Sequence, residues 1–89
     1  MKIMTQVWMD ARHRVGIMER EDGRLGRTYH PIEVTDREKG EFSVIGNKWF
    51  TTYNGAREFF RHETNHYTVQ GRMKKVDVTL KLETFVLTE

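Results

Sequence analysis

The sequence predicts a β-rich α+β domain of antiparallel strands with one helix. Three observations carry that expectation. Val76-Asp77-Val78-Thr79-Leu80-Lys81-Leu82-Glu83 alternates apolar and polar residues without an error, the period of a strand with one face in a core and one in water. Asp22-Gly23 and Gly46-Asn47 sit between β-rich runs and suit hairpin turns, because these residues tolerate positive φ. Apolar residues around 52–65 recur at helical spacing.

Residues 2–9 read as a strand, with Ile3, Thr5, Val7 and Met9 opposite Met4, Gln6 and Trp8. Met4, Val7, Trp8, Ala11, Val15 and Met18 also fit a helix, but the hairpin that follows favours the strand. Asp22-Gly23 makes Val15–Glu21 and Arg24–His30 the hairpin arms. Pro31 lacks an N–H and suits an edge strand or a bend, with Ile32–Thr35 continuing beyond it. Residues 36–40 form a solvated turn. Phe42–Ile45 and Lys48–Thr51 flank Gly46-Asn47 as a second hairpin.

The helix, at about 52–65, takes Thr51 or Thr52 as its N-cap and carries Tyr53, Ala56 and Phe60 on one stripe, with Phe59 beside it. Gly55 weakens it. His66–Val69 is β-rich, and Gln70-Gly71 turns into a long C-terminal strand at about 73–87. The apolar parity changes after Glu83, as a β-bulge near Glu83-Thr84 or burial of both faces at the end would produce. This element set fits a small barrel and an open, helix-covered sheet equally well.

With 89 residues, 37% hydrophobic and 31% charged, the chain 1–89 has the size and composition of a single globular domain. It contains no cysteine, which removes disulfides and thiolate metal sites. No apolar run is long enough for a signal peptide or a membrane span, so a cytoplasmic location away from membranes is expected. The net charge of +2 is small, and distribution matters more than the sum. Arg12-His13-Arg14 and Arg72-Met73-Lys74-Lys75 are the two concentrated basic stretches.

One motif resembles catalytic chemistry. His62-Glu63-Thr64-Asn65-His66 has the H-E-x-x-H spacing that, on a helix, places two imidazoles on one face to hold zinc. The helix must then run through His66, yet Thr64, Asn65, Tyr67 and Thr68 favour ending it. A third ligand must come from Asp77, Glu83 or Glu89 on or after the last strand, or from His13 or His30 by folding back. The match covers five residues and is read as coincidence, so no metal and no cofactor is expected. Ser43 is the only serine, and neither a nucleophile elbow nor a phosphate-binding glycine motif occurs.

Six of the ten aromatic residues lie between Lys48 and Tyr67, with Arg57 and Arg61 among them. In so small a domain most of these fill the core. Neighbours on a strand face opposite ways, so one of Trp49 and Phe50 is exposed. Trp49, Phe50, Tyr53, Arg57 and Arg61 therefore form the expected binding surface, of the residue types that anchor protein interfaces. The leading expectation is a small non-enzymatic module that acts by protein–protein contact, as an adaptor, regulator or inhibitor. The alternative is nucleic-acid binding by aromatic stacking, with Arg12, Arg14, Arg72, Lys74 and Lys75 contacting phosphates if their two stretches meet in space. A zinc hydrolase using His62, Glu63 and His66 ranks last. Pairing of the final strand with a second copy would make a homodimer.

Overall fold

The computed structural model describes residues 3–36, 38–62, 69–76, 78–81 and 84–87. Its elements are β1 (Ile3–Met9), β2 (Val15–Asp22), β3 (Gly26–Asp36), β4 (Glu41–Val44), α1 (Tyr53–His62), β5 (Lys74–Val76), β6 (Val78–Lys81) and β7 (Thr84–Leu87). All strands pair antiparallel in the order β5-β1-β2-β3-β4-β7-β6. The first five make the body of the sheet, and the β6–β7 hairpin joins it through Glu41↔Val86. This is the expected β-rich α+β architecture.

β1 is a strand rather than a helix, and its register with β2 slips between Met4 and Gln6. The first hairpin differs by a few residues from its expected form. Asp22 pairs with Gly26, so the loop is Gly23-Arg24-Leu25, and Gly26 takes the positive φ of 78° in place of Gly23.

Pro31 corrects an expectation. It is buried inside β3, between β2 and β4, rather than on an edge. The sheet accommodates it by ending β4 beside it. The Ile45 N–H donates to the Pro31 carbonyl at 2.9 Å, and the reciprocal bond would need the N–H that proline lacks. The chain then leaves the ladder through a turn in which Gly46 and Asn47 both have φ of 55° and the Lys48 N–H donates to the Ile45 carbonyl at 3.1 Å. The turn forms as expected, but the second arm does not pair with β4. Phe50 returns to β3 and exchanges both backbone bonds with Tyr29 at 2.8 Å. His30, buried between, secures the excursion. Its Nδ1 donates to the Lys48 carbonyl at 3.2 Å, and its Nε2 lies 2.9 Å from the Thr28 hydroxyl.

The helix begins as its sequence dictates. Thr52 is the N-cap: its hydroxyl accepts the Gly55 N–H at 3.0 Å, and its carbonyl accepts the Ala56 N–H at 3.3 Å. Arg61 and His62 close the described helix at the negative end of its dipole. Residues 63–65 of the expected helix lie outside the described residues.

The expected long C-terminal strand is divided into β5, β6 and β7, because β5 pairs with β1 while β6 pairs with β7 beside β4. Lys81 pairs with Thr84, so a chain reversal, and not a bulge, changes the apolar parity there. Covalent geometry adds a constraint. Val76 ends one edge strand and Val78 starts the other, so the two edges approach within about 7 Å at that point. The sheet is therefore rolled, yet among the described residues β5 and β6 do not pair. Among the described residues the sheet is not closed.

Both faces are buried. On one, Val15, Ile17 and Ile45 pack with Ala56 and Phe60 of α1 and with Met73. On the other, Val7, Met9, Met18 and Ile32 are at most 1% exposed. No described helix covers this second face, where Val34, Phe42, Val44 and Val76 pack against the buried four. Close strand approach depends on Gly16, where a Cβ would strike the Trp8 carbonyl oxygen and lie 2.9 Å from the Met9 sulfur. Gly16→Ala should cost about 3 kcal/mol or more in urea unfolding. Gly23→Ala, at a loop position where a Cβ meets no described atom within 4 Å, should change stability by less than about 1 kcal/mol.

Candidate functional site

The β1–β2 connection is organised by one buried carboxylate. Asp10 is 1% exposed, and its backbone N–H donates to the Val15 carbonyl at 3.0 Å. Its Oδ1 accepts the Arg14 N–H at 2.9 Å and lies 3.5 Å from the Val15 nitrogen. Its Oδ2 accepts the N–H of Gln70, 60 positions along the chain, at 3.1 Å. The Ala11 N–H donates to the Gln70 carbonyl at 2.8 Å, completing the tie. Gly71, at a φ of 73°, lies so close that a Cβ would stand 3.1 Å from the Ala11 Cβ.

This tie sets β5 against β1, with Met9↔Lys74, Trp8↔Lys75 and Val7↔Val76 in register. The two basic stretches therefore meet. Between them lies a cleft of about 490 Å³ lined by Met9, Asp10, Ala11, His13, Arg72 and Lys74. Arg12, Arg14, Arg72, Lys74 and Lys75 are all exposed. Segments 10–15 and 70–76 thus carry five permanent cations and a single carboxylate, and that carboxylate is engaged by backbone N–H groups. The net charge of the chain is +2, so the basic character is concentrated at this end.

The residues expected to form one binding surface are distributed differently. Trp49 is 50% exposed, whereas Phe50 turns inward and packs 6.3 Å from the Phe59 ring. Tyr53 packs edge-on against Trp8 at 5.0 Å. Arg57 is half-buried beside Tyr53, and Arg61 is exposed and paired with Glu58 at 2.9 Å. Phe50 is therefore directed into the core, and Tyr53 is half-buried at its margin. Lys48 holds its ammonium 6.0 Å from the centre of the Phe59 ring.

Sequence reasoning missed a second arrangement on the helix-bearing face. Trp8, Tyr29 and Tyr53 meet there as half-buried rings, with Trp8 6.4 Å from Tyr29. Trp8 and Tyr29 lie on different strands, far outside the aromatic-rich 48–67 stretch, and only the pairing of β1, β2 and β3 joins them. Beneath Tyr29 lies Glu19, 3% exposed, whose carboxylate accepts the Tyr29 hydroxyl and sits 4.0 Å from the Arg27 guanidinium. The hydrogen bond to Glu19 holds the Tyr29 phenol above its ordinary pKa, with desolvation acting the same way. Burial also raises the Tyr53 phenol, and the nearby Arg57 opposes that shift.

The proposed zinc pair is not assembled among the described residues. His62 is exposed 3.9 Å from Glu58, and Glu63 and His66 lie outside the described residues. So do Asp77, Glu83 and Glu89. His30 is committed to Thr28 and Lys48 on the face opposite the helix, and His13 lies at the basic cleft. No group of three His, Asp or Glu residues suited to a metal ion occurs among the described residues. No described helix is long and apolar enough to cross a membrane. The chain matches no protein-family model, no curated protein and no solved structure.

Two outcomes follow from the buried carboxylates. Asp10→Asn turns one hydrogen-bond acceptor into a donor facing backbone N–H groups, and should cost about 2–3 kcal/mol in chemical unfolding. Tyr29 should ionise above the ordinary phenol range near 10 in an ultraviolet titration, and Glu19→Gln should bring it back down. Because folding raises this pKa, its stabilising contribution is complete below the ordinary value and is lost as pH rises through the folded one.

Proposed function

We propose that this protein is a non-enzymatic binding module that holds a nucleic acid through phosphate contacts in the basic cleft. The observation behind this reading is the tie that sets Arg12-His13-Arg14 beside Arg72-Met73-Lys74-Lys75, stretches 60 residues apart in sequence, with His13, Arg72 and Lys74 lining one concave site. Guanidinium and ammonium groups around exposed backbone recognise phosphate oxygens, and they do so without reading sequence. A binder is favoured over a catalyst by the make-up of the cleft. Its carboxylate is engaged by backbone N–H groups, which leaves cations as its principal chemistry. A cysteine-free chain needs no oxidising compartment, and we assign it to the cytoplasm.

A protein-contact role, as an adaptor or inhibitor, has one observation in its favour: Trp49 is a large apolar side chain, half exposed beside a rigid turn. Of the five residues expected to share that surface, Phe50 turns inward against Phe59, Tyr53 packs edge-on against Trp8, and Arg61 is paired with Glu58. A single aromatic anchor makes a smaller case than two basic stretches held side by side along a cleft.

Anisotropy of a labelled oligonucleotide across a salt series tests the assignment. The logarithm of affinity should fall with the logarithm of salt by about 0.7–0.9 for each phosphate contacted. Arg72→Ala and Lys74→Ala should each weaken binding and flatten that slope by about one contact. Binding that ignores salt, or that depends on Trp49 and not on Arg72, would transfer the function to protein contact.

A further inference from the structure

We propose that the nucleic acid is single-stranded and that its bases stack on the shelf formed by Trp8, Tyr29 and Tyr53, an inference that rests on the phosphate-binding role of the cleft. The cleft and the shelf adjoin each other across β5, an edge strand of three residues. Lys74 lines the cleft, and Lys75, the next residue, faces the opposite side of the sheet. There it is the cross-strand neighbour of Trp8. A strand leaving the cleft past Lys74 therefore reaches Lys75 and then an aromatic surface within two residues of β5.

The chemistry of the shelf suits unpaired bases. Trp8 meets Tyr53 at 5.0 Å and Tyr29 at 6.4 Å, so the three rings are contiguous, and each is only partly buried. Cations flank them: Lys75 across from Trp8, Arg57 beside Tyr53, and Arg27 beside the Glu19–Tyr29 pair. Glu19, the carboxylate beneath Tyr29, is buried and accepts the Tyr29 hydroxyl with Arg27 nearby, so it presents no open negative face to a phosphate. Its role is to position Tyr29. Base faces are available for stacking in single strands and are hidden in a duplex, whose phosphates alone could use the cleft.

The test uses the full chain carrying Trp49→Phe, which leaves Trp8 as the only tryptophan of the original two. It is titrated at low salt with a thymidine single strand of about twelve nucleotides, a duplex of equal length, and inorganic polyphosphate. The single strand should quench Trp8 emission and bind at least about tenfold more tightly than the duplex. Polyphosphate should bind without quenching. Trp8→Leu, checked for folding by circular dichroism, should lose about tenfold in single-strand affinity and nothing in polyphosphate affinity. Equal affinity for single strand and duplex, or single-strand binding that leaves Trp8 emission unchanged, overturns the shelf while the cleft stands through its Arg72 dependence. If none of the three polyanions binds, the cleft itself fails and takes the shelf with it.

Discussion

A buried Asp10 carboxylate is the constraint on which this end of the molecule depends. Burying an ionised carboxylate costs several kcal/mol unless strong partners replace its water. Here the partners are backbone N–H groups of Arg14 and Gln70, with that of Val15 at the limit of reach. One side chain therefore closes the β1–β2 loop and fastens a distant segment to it. With Gln70 held, Gly71 packs on Ala11 and β5 falls into register with β1. The convergence of cations is a by-product of that attachment. Their mutual repulsion is tolerated because they are exposed, where water and salt screen it.

The sheet solves a different problem, how to bury two apolar faces with one helix. α1 covers the face bearing Val15 and Ile17, while Val7, Met9, Met18 and Ile32 are buried with Val34, Phe42, Val44 and Val76 against them. The strands approach closely at Gly16, which has no room for a side chain between Trp8 and Met9. A proline occupies an inner strand by a local adjustment. β4 stops at the point where Pro31 has no N–H to offer, and the chain loops around His30 before Phe50 rejoins β3. The irregularity is local, and each buried polar group within it has a partner: among the described residues no buried side-chain nitrogen or oxygen lacks one.

These two solutions place different chemistry on the two sides of β5. Cationic groups around the cleft suit a charged backbone, and partly buried rings beside Trp8 suit flat apolar faces. A small net charge conceals this, since Glu and Asp elsewhere offset cations that are concentrated in space. Trp49 stands apart on the Gly46-Asn47 excursion as the more exposed of the two tryptophans.

Local physics was legible in the sequence alone. Thr51-Thr52 announced the helix start because a hydroxyl at the N-cap satisfies an otherwise free N–H, the structure using Thr52, and Gly46-Asn47 announced its turn because both residues accept positive φ. Strand periodicity located most of the β structure, since alternation depends only on neighbouring residues. What a strand pairs with is not local. An alternating run cannot reveal that Val76 ends one edge of the sheet and Val78 begins the other, or that Phe50 rejoins β3 instead of β4. The functional candidates divide the same way. Both basic stretches were visible as residues, but their meeting rests on a hydrogen bond spanning 60 positions. Trp8, Tyr29 and Glu19 carried no sequence signal as a group, because strands from separate parts of the chain bring them together and burial then sets their chemistry.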